Sequence, residues 1–215
     1  MKLKWLGHAS FLITAADGTR VITDPYTPGG PLTYAPIAES ADIVTVSHEH
    51  GDHSNAGAVK GSPQVIRGPG SRTVKGVAVK GVAAFHDTVQ GRQRGPNTVF
   101  CITVDGVRIA HLGDLGHSLD AQQLQEVGAV DVLLTPVGGT YTIDGPTAAQ
   151  VAEALKARVV IPMHFHNAHC AYPITDAEPF LKGRPGVRRL DGSDVEFTKE
   201  RLPGATETVV LKPAL

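Results

Sequence analysis

The stretch Ile43-Val44-Thr45-Val46-Ser47-His48-Glu49-His50-Gly51-Asp52-His53 decides how this chain is read. The run that leads into it, Ala41 to Ser47, is apolar and β-branched, the pattern of a strand buried in a sheet. Four metal-binding side chains, His48, His50, Asp52 and His53, then follow within six residues. On extended backbone, residues two apart point the same way, so His48 and His50 can grip one ion. Gly51 lets the chain turn, and Asp52 and His53 can face a neighbouring ion. Imidazole and carboxylate donors suit zinc and other first-row metals. The competing reading is a solvated loop with chance histidines, and the density of donors weighs against it.

Further donors stand at the ends of other apolar runs. His86 ends Val82-Ala83-Ala84-Phe85. Asp114 follows Ile109-Ala110-His111-Leu112-Gly113, and His164 follows Val159-Val160-Ile161-Pro162-Met163. Strand ends that feed one edge are how a rigid scaffold presents a site. Around them, Lys2 to Leu6, Ser10 to Thr14 and Thr19 to Thr23 read as strands, the last two joined by a turn at Ala16-Asp17-Gly18. A Pro/Gly-rich loop from Tyr26 to Pro36 is long enough to line a site. Val65-Ile66 and Val74 to Phe85 read as further strands, and Gly91 to Asn97 as a turn. Thr98 to Val104 and Val107 to Leu112 form a hairpin about Asp105-Gly106. The second half alternates. Leu119 to Val127, Thr147 to Lys156 and Asp176 to Leu181 suit helices. Val130 to Leu134, Val159 to Pro162, Val187 to Leu190, Val195 to Thr198 and Thr208 to Leu211 suit strands. Strands first, then strands mixed with helices, suggest two sheets face to face with helices outside. A three-layer α/β fold is the alternative.

Composition narrows the function. A length of 215 residues suits one domain, 1–215, and 41% hydrophobic residues can form a sizeable core. The formal net charge of −1 argues against general attraction to nucleic acid or to anionic membranes. Two cysteines, Cys101 and Cys170, are too few for a disulfide framework. No leader-like segment or long apolar span is seen, so a cytoplasmic location is expected.

The pattern His48-Glu49-His50-Gly51-Asp52-His53 matches the H-x-H-x-D-H signature of the metallo-β-lactamase fold superfamily. His86, Asp114 and His164 follow in that family's order of His, Asp, His. Gly7-His8-Ala9-Ser10-Phe11, Thr23-Asp24-Pro25, His111-Leu112-Gly113-Asp114 and Pro162-Met163-His164 resemble the branch related to ascorbate-6-phosphate lactonase. The resemblance implies an α+β fold, a four-layer αββα sandwich of two mixed β-sheets with the site at one edge. It implies one ion held by His48, His50 and His86, a second by Asp52, His53 and His164, and Asp114 bridging both. His117 is a second candidate for the place of His86. Two divalent ions are expected, Zn2+ first and Mn2+ or Fe2+ as alternatives, and a metal-bound hydroxide would attack the substrate.

Other residues carry weaker expectations. Asp24 is read as an acceptor orienting a ligand histidine, against the alternative of a turn residue before Pro25. His8 is placed near the metals, and His111 in the core rather than among the ligands. Arg92 and Arg94 are candidates to clamp an anionic substrate, and Tyr141 to contact it. His166, with His169 and Cys170, is set between loop surface, substrate contact and an additional metal site. The expected activity is hydrolysis of a small anionic ester, lactone or phosphodiester by a chain that can form homo-oligomers. Asp52 and Asp114 are the expected catalytic carboxylates. An iron-dependent oxidoreductase and a non-catalytic metal-binding protein are the alternatives. His50 weighs against the first, since di-iron reductases of this superfamily usually carry Glu there.

Overall fold

The computed structural model describes residues 1–215. The N-terminal strands β1 (Lys2–Gly7), β2 (Ser10–Thr14), β3 (Arg20–Thr23), β4 (Ile43–Val46) and β5 (Gln64–Arg67) form one sheet, joined at its edge by β13 (Asp194–Glu196). The second sheet contains β6 (Gly70–Val74), β7 (Val77–Phe85), β8 (Pro96–Val104), β9 (Val107–His111), β10 (Val132–Pro136), β11 (Val159–Met163), β12 (Val187–Arg189) and β14 (Glu207–Val210). The orders are β13-β1-β2-β3-β4-β5 and β12-β14-β11-β10-β9-β8-β7-β6. Both sheets are mixed, as expected for the αββα sandwich.

The antiparallel parts follow from short turns. Asp105 and Gly106 both have positive φ, 51° and 75°, which matches the right-handed strand twist in a two-residue hairpin. The same turn occurs at Lys75 (φ 47°) and Gly76 (φ 79°). It separates β6 from β7 at Gly76, within the glycine-broken run from Val74 to Phe85. Lys is an unusual residue at such a turn, and only Gly76 marked it.

Side chains alternate between faces in the first sheet. Leu3, Trp5, Phe11, Ile13, Val21 and Ile43 join the main core with Phe100, Ile102, Ile109 and Leu134 of the second. Leu12, Ile22, Val44 and Val46 face outward and are covered by Tyr26, Leu32, Tyr34, Ile37 and Val59. The loop from Tyr26 to Pro36 therefore packs as an outer layer over the first sheet. Strand β4 is buried on both faces, which explains its unbroken apolar run. The helices are α1 (Ala121–Val127), α2 (Gly145–Ala154) and α3 (Glu178–Leu181). The first packs on β7, the second on β10, and the third on α2. Helix α1 starts after Asp120, not at Leu119. The Asp120 carboxylate accepts the Gln123 N–H, and the Gln123 side chain answers it, closing a capping box. No helix is long and apolar enough to cross a membrane.

Pairing directions place the site. Strand β1 is antiparallel to β2, and β2 to β3, so β1, β3 and β4 run the same way. By the same count β7, β9, β10 and β11 run alike. His8, Asp24 and His48 follow strands of the first sheet, and His86, Asp114 and His164 follow strands of the second.

Candidate metal centre

Four buried histidines point Nε2 at one carboxylate. His53 Nε2 lies 3.2 Å from Asp114 Oδ1. His86 and His164 Nε2 each lie 3.3 Å from Asp114 Oδ2, and His48 Nε2 lies 3.9 Å from it. Around this centre the donors fall into groups, each with its atoms within 4.8 Å of one another. One is His48, His50 and His86; another is His8, Asp52, His53 and His164; a third, Asp24 with His48 and His53, links the two. His48 Nε2, His53 Nε2 and Asp114 Oδ1 are buried and have no hydrogen-bond partner. Leaving such atoms unpaired is costly, and cations held at this centre would satisfy all three.

The orientation of two ligands is set behind them. Asp24 is fully buried. Its Oδ1 accepts the Ser47 N–H at 2.8 Å, and its Oδ2 accepts Ser47 Oγ–H at 2.5 Å and His53 Nδ1–H at 2.9 Å. Ser47 has one hydroxyl proton and gives it to Asp24, so its Oγ accepts His48 Nδ1–H, 2.9 Å away. His48 then carries its proton on Nδ1 and a lone pair on Nε2, the tautomer that binds a metal. His53, fixed through Nδ1–H, would offer Nε2 once a cation takes the place of the second proton that Asp114 and Asp24 favour there. Burial works against the Asp24 charge, but nearby His111, His53 and His48 outweigh it and hold the carboxyl below its usual range. Asp24 thus accepts from both Ser47 and His53 and fixes the orientation of each. Ser47 escaped the sequence reading, although it sits directly between the buried strand and the first ligand.

His8 is drawn fully into the centre. Its Nε2 lies 3.3 Å from Asp52 Oδ2, and its ring centroid 4.1 Å from that of His164. Its carbonyl accepts Trp5 Nε1–H at 3.0 Å and the His164 N–H at 3.2 Å. Backbone φ is 50° at His8, 37° at Asp24 and 51° at His164. Left-handed backbone in three non-glycine residues at one site is strain that the surrounding hydrogen bonds maintain.

Asp114 is held from behind by Asn97. The Asn97 Nδ2–H donates to Leu112 O at 2.9 Å, and its Oδ1 accepts the Asp114 N–H at 3.1 Å. Gly113, with φ 56°, lies so close to Ser47 and Asn97 that a β-carbon would collide with both. His111 belongs to the core, as expected. Its Nε2–H donates to Ala9 O at 2.8 Å and its Nδ1 accepts the Gly113 N–H at 3.2 Å, so both nitrogens are used. His117 is likewise occupied, accepting the Phe85 N–H and donating to Ser118 O. His86, not His117, joins the donor groups.

Above the donors lies a cavity of about 350 Å3, lined by His50, Asp52, His86, Asp114 and His164 and walled by Arg94, Tyr141 and Tyr172. The Arg94 guanidinium lies 5.3 Å from the Tyr141 ring centroid. Tyr172, absent from the sequence reading, meets Tyr141 edge to face at 5.9 Å. Its place in a Cys-Ala-Tyr loop gives no periodic signal. The loop carrying Arg94 is clamped by Asp87, whose carboxylate accepts the N–H groups of Val89, Gly91, Gln93 and Arg94. Arg92 turns away, its Nε–H donating to Val89 O at 3.0 Å, so the expected arginine pair is reduced to one. His166 is also corrected: it is exposed, outside the cavity, and its N–H donates to Thr175 O. His169 stacks on Tyr34, Cys170 is buried beneath the outer loop, and the three form no donor group.

Electrostatics follow from burial. His48 is pushed down to about 3, first by burial and then by His53. His8 is pushed down to about 4, first by burial and then by His164. Burial also opposes a charge on His53, but Asp114 and Asp24 overcome it and raise that group well above its ordinary value. The folded state therefore binds fewer protons than the unfolded chain at His8 and His48 below pH 6.5. Stability from these two groups is complete above that pH and is lost as pH falls toward 4. For the metal-free protein, urea unfolding at pH 6.5 and pH 4.5 should show a loss of about 4 kcal/mol. Equal stability at both would contradict this electrostatic account.

The sequence profile of the beta-lactamase superfamily domain (Lactamase_B_3) matches residues 2–164. The chain is 32% identical to a UPF0173 metal-dependent hydrolase of Pelotomaculum thermopropionicum, over 83% of this chain and 89% of that one. It is 30% identical to a UPF0173 metal-dependent hydrolase of Thermococcus onnurineus, over 99% and 97% of the two chains. A crystal structure from Thermotoga maritima, whose name proposes a zinc-dependent hydrolase of the metallo-β-lactamase superfamily, superposes with a TM-score of 0.81. That chain is 39% identical, and the match covers 98% of this chain and 97% of that one. The protein thus belongs to the metallo-β-lactamase superfamily and, within it, to the UPF0173 metal-dependent hydrolases.

Proposed function

We propose that this hydrolase works with two divalent ions, zinc first, on a small anionic ester, lactone or phosphodiester. The observation that carries the reading is the meeting of two separate donor groups on one buried carboxylate, Asp114. His48, His50 and His86 would hold one ion, and Asp52, His53 and His164 the other, with Asp114 between them. A predominantly imidazole set with two carboxylates suits zinc. Ions so held supply Lewis-acid polarisation of the scissile group and bring the pKa of water toward neutrality.

The chain's own residues do the rest. Asp114 and Asp52 balance the charge at the centre and orient the attacking water. Arg94, free of any carboxylate partner and set against Tyr141, binds the anionic group of the substrate. Tyr141 and Tyr172 wall the cavity and limit the entry of bulk water. The lactone member of this substrate class comes from the motifs shared with the ascorbate-6-phosphate lactonase branch.

Elemental analysis of the purified protein should find about two zinc ions per chain. A panel of lactones, nitrophenyl esters and bis-nitrophenyl phosphate should then yield a metal-dependent substrate. Iron with a coloured spectrum, and no hydrolysis across the panel, would overturn the reading in favour of redox chemistry. The two arginines separate cleanly. Arg94→Ala should raise KM for an anionic substrate about tenfold, while Arg92→Ala leaves it unchanged. Equal effects of the two would remove Arg94 from substrate binding.

A further inference from the structure

Beside the metal-site cavity lies a second cleft of about 450 Å3. Its walls are the end of β4, the ligand loop, the β5–β6 connection and the start of β8, where the two sheets part. His50 and Arg94 line both spaces, so the cleft continues from the metal centre past these two side chains. A ligand with one end at the centre can therefore extend into it.

Its chemistry is selective. Pro69 and Pro96 offer apolar surface, and Arg67 and Arg94 supply two guanidinium groups. Arg67 meets Glu49 through Nε at 3.2 Å, and both side chains remain well exposed. An exposed pair of this kind is weakly held. It leaves the terminal amino groups of Arg67 free to bind a planar or tetrahedral anion. The wall that carries Arg67 is also fixed in place. Gly81 of β7 lies so close to Gly68 O that a β-carbon there would collide with it, so the β5–β6 connection is seated tightly on the second sheet.

We infer that this cleft is a second anion subsite, taking a carboxylate or phosphate carried several bonds away from the scissile group. It rests on the hydrolase reading only for the bond that is cleaved, since occupancy of the cleft requires no cleavage. The substrate class becomes a compound with two acidic ends or, for a lactone or ester, a distal acidic group.

Calorimetric titration of the zinc-loaded protein tests this with three probes: glutarate, 3-phosphonopropionate and butyrate. At least one dianion should bind at least about tenfold more tightly than butyrate, the scale of a charge-assisted pair. Propylphosphonate, run beside 3-phosphonopropionate, separates the two sources: a gain of 3-phosphonopropionate over propylphosphonate that Arg67→Met removes marks a carboxylate in the cleft, and a gain over butyrate alone marks a phosphonate there. Arg67→Met should bring the ratio to within about twofold, and Arg67→Lys should keep most of it, which guards against a folding defect. Equal affinities for all three probes, no binding of any, or a ratio that survives Arg67→Met would overturn the subsite. Selective binding of a dianion with no hydrolysis of any panel substrate would instead strike the catalytic reading and leave the subsite standing.

Discussion

Replacing Asp114 by alanine should reduce kcat/KM at least about a thousandfold, a loss of about 4 kcal/mol in transition-state stabilisation. Bound metal should fall below one ion per chain in the same preparation. The reason is positional. Four imidazole nitrogens, two from each donor group, lie 3.2–3.9 Å from this one carboxylate. Burial opposes its charge, but His164 and His53 hold it ionised far below the usual carboxylate range. Without it, His48, His50 and His86 face one another with no carboxylate among them, and only Asp52 is left in the other donor group. Asp114→Asn keeps the shape and removes the charge, so it should lose metal nearly as completely. Elemental analysis and steady-state kinetics on both variants decide the matter, and retained activity with a full complement of metal would refute the bridging role.

Asp24→Ala should weaken metal binding about 10–100-fold and destabilise the fold by about 3–5 kcal/mol, although Asp24 is not itself expected to touch an ion. Its removal strands three buried donors, the Ser47 N–H, the Ser47 hydroxyl and His53 Nδ1–H. Asp24→Asn separates the two effects. An amide can still accept from the Ser47 N–H, but turning its NH2 toward His53 favours the opposite tautomer, with the proton on Nε2. Metal affinity should then fall more than stability. Chelator competition reads the first quantity and calorimetric unfolding the second. An Asp24→Asn protein that binds zinc as the parent does would show that tautomer control does not operate here.

Some of this was legible in the sequence and some was not, for physical reasons. The run from Ile43 to His53 announced itself because a strand buried on both faces reads as unbroken apolar sequence, and because metal donors are rare at such density. His86 and His164 were legible only through chain order, since each is one histidine after a strand. Spacing alone did not separate His86 from His117. The structure does so, by engaging both ring nitrogens of His117 with backbone groups. Arg92 and Arg94 look equivalent in Gly-Arg-Gln-Arg-Gly. Which one faces the cavity is decided by Asp87, whose grip on four backbone N–H groups is a feature of loop conformation. Ser47, Asn97 and Tyr172 were missed because their roles depend on partners far away in the chain or on a hydroxyl rotor. The glycine break at Gly76 was legible, but the strand before it, Gly70–Val74, was not, because its Ser-Arg-Thr stretch is exposed and carries no apolar alternation.

The division of donors between the two sheets has a thermodynamic side. Each proposed ion takes two ligands from the loop after β4 and one from a strand end of the opposite sheet. At this edge His111 bolts the sheets together through one hydrogen bond to Ala9 O. A cation gripped across the same edge acts as a reversible staple, and only the folded chain presents its legs in register. By mass action, every tenfold rise in free metal above the dissociation constant adds about 1.4 kcal/mol per site against unfolding. If such ions are held here, the melting temperature of this protein is a reading of metal availability, and a cell short of the metal would lose the enzyme's durability together with its chemistry.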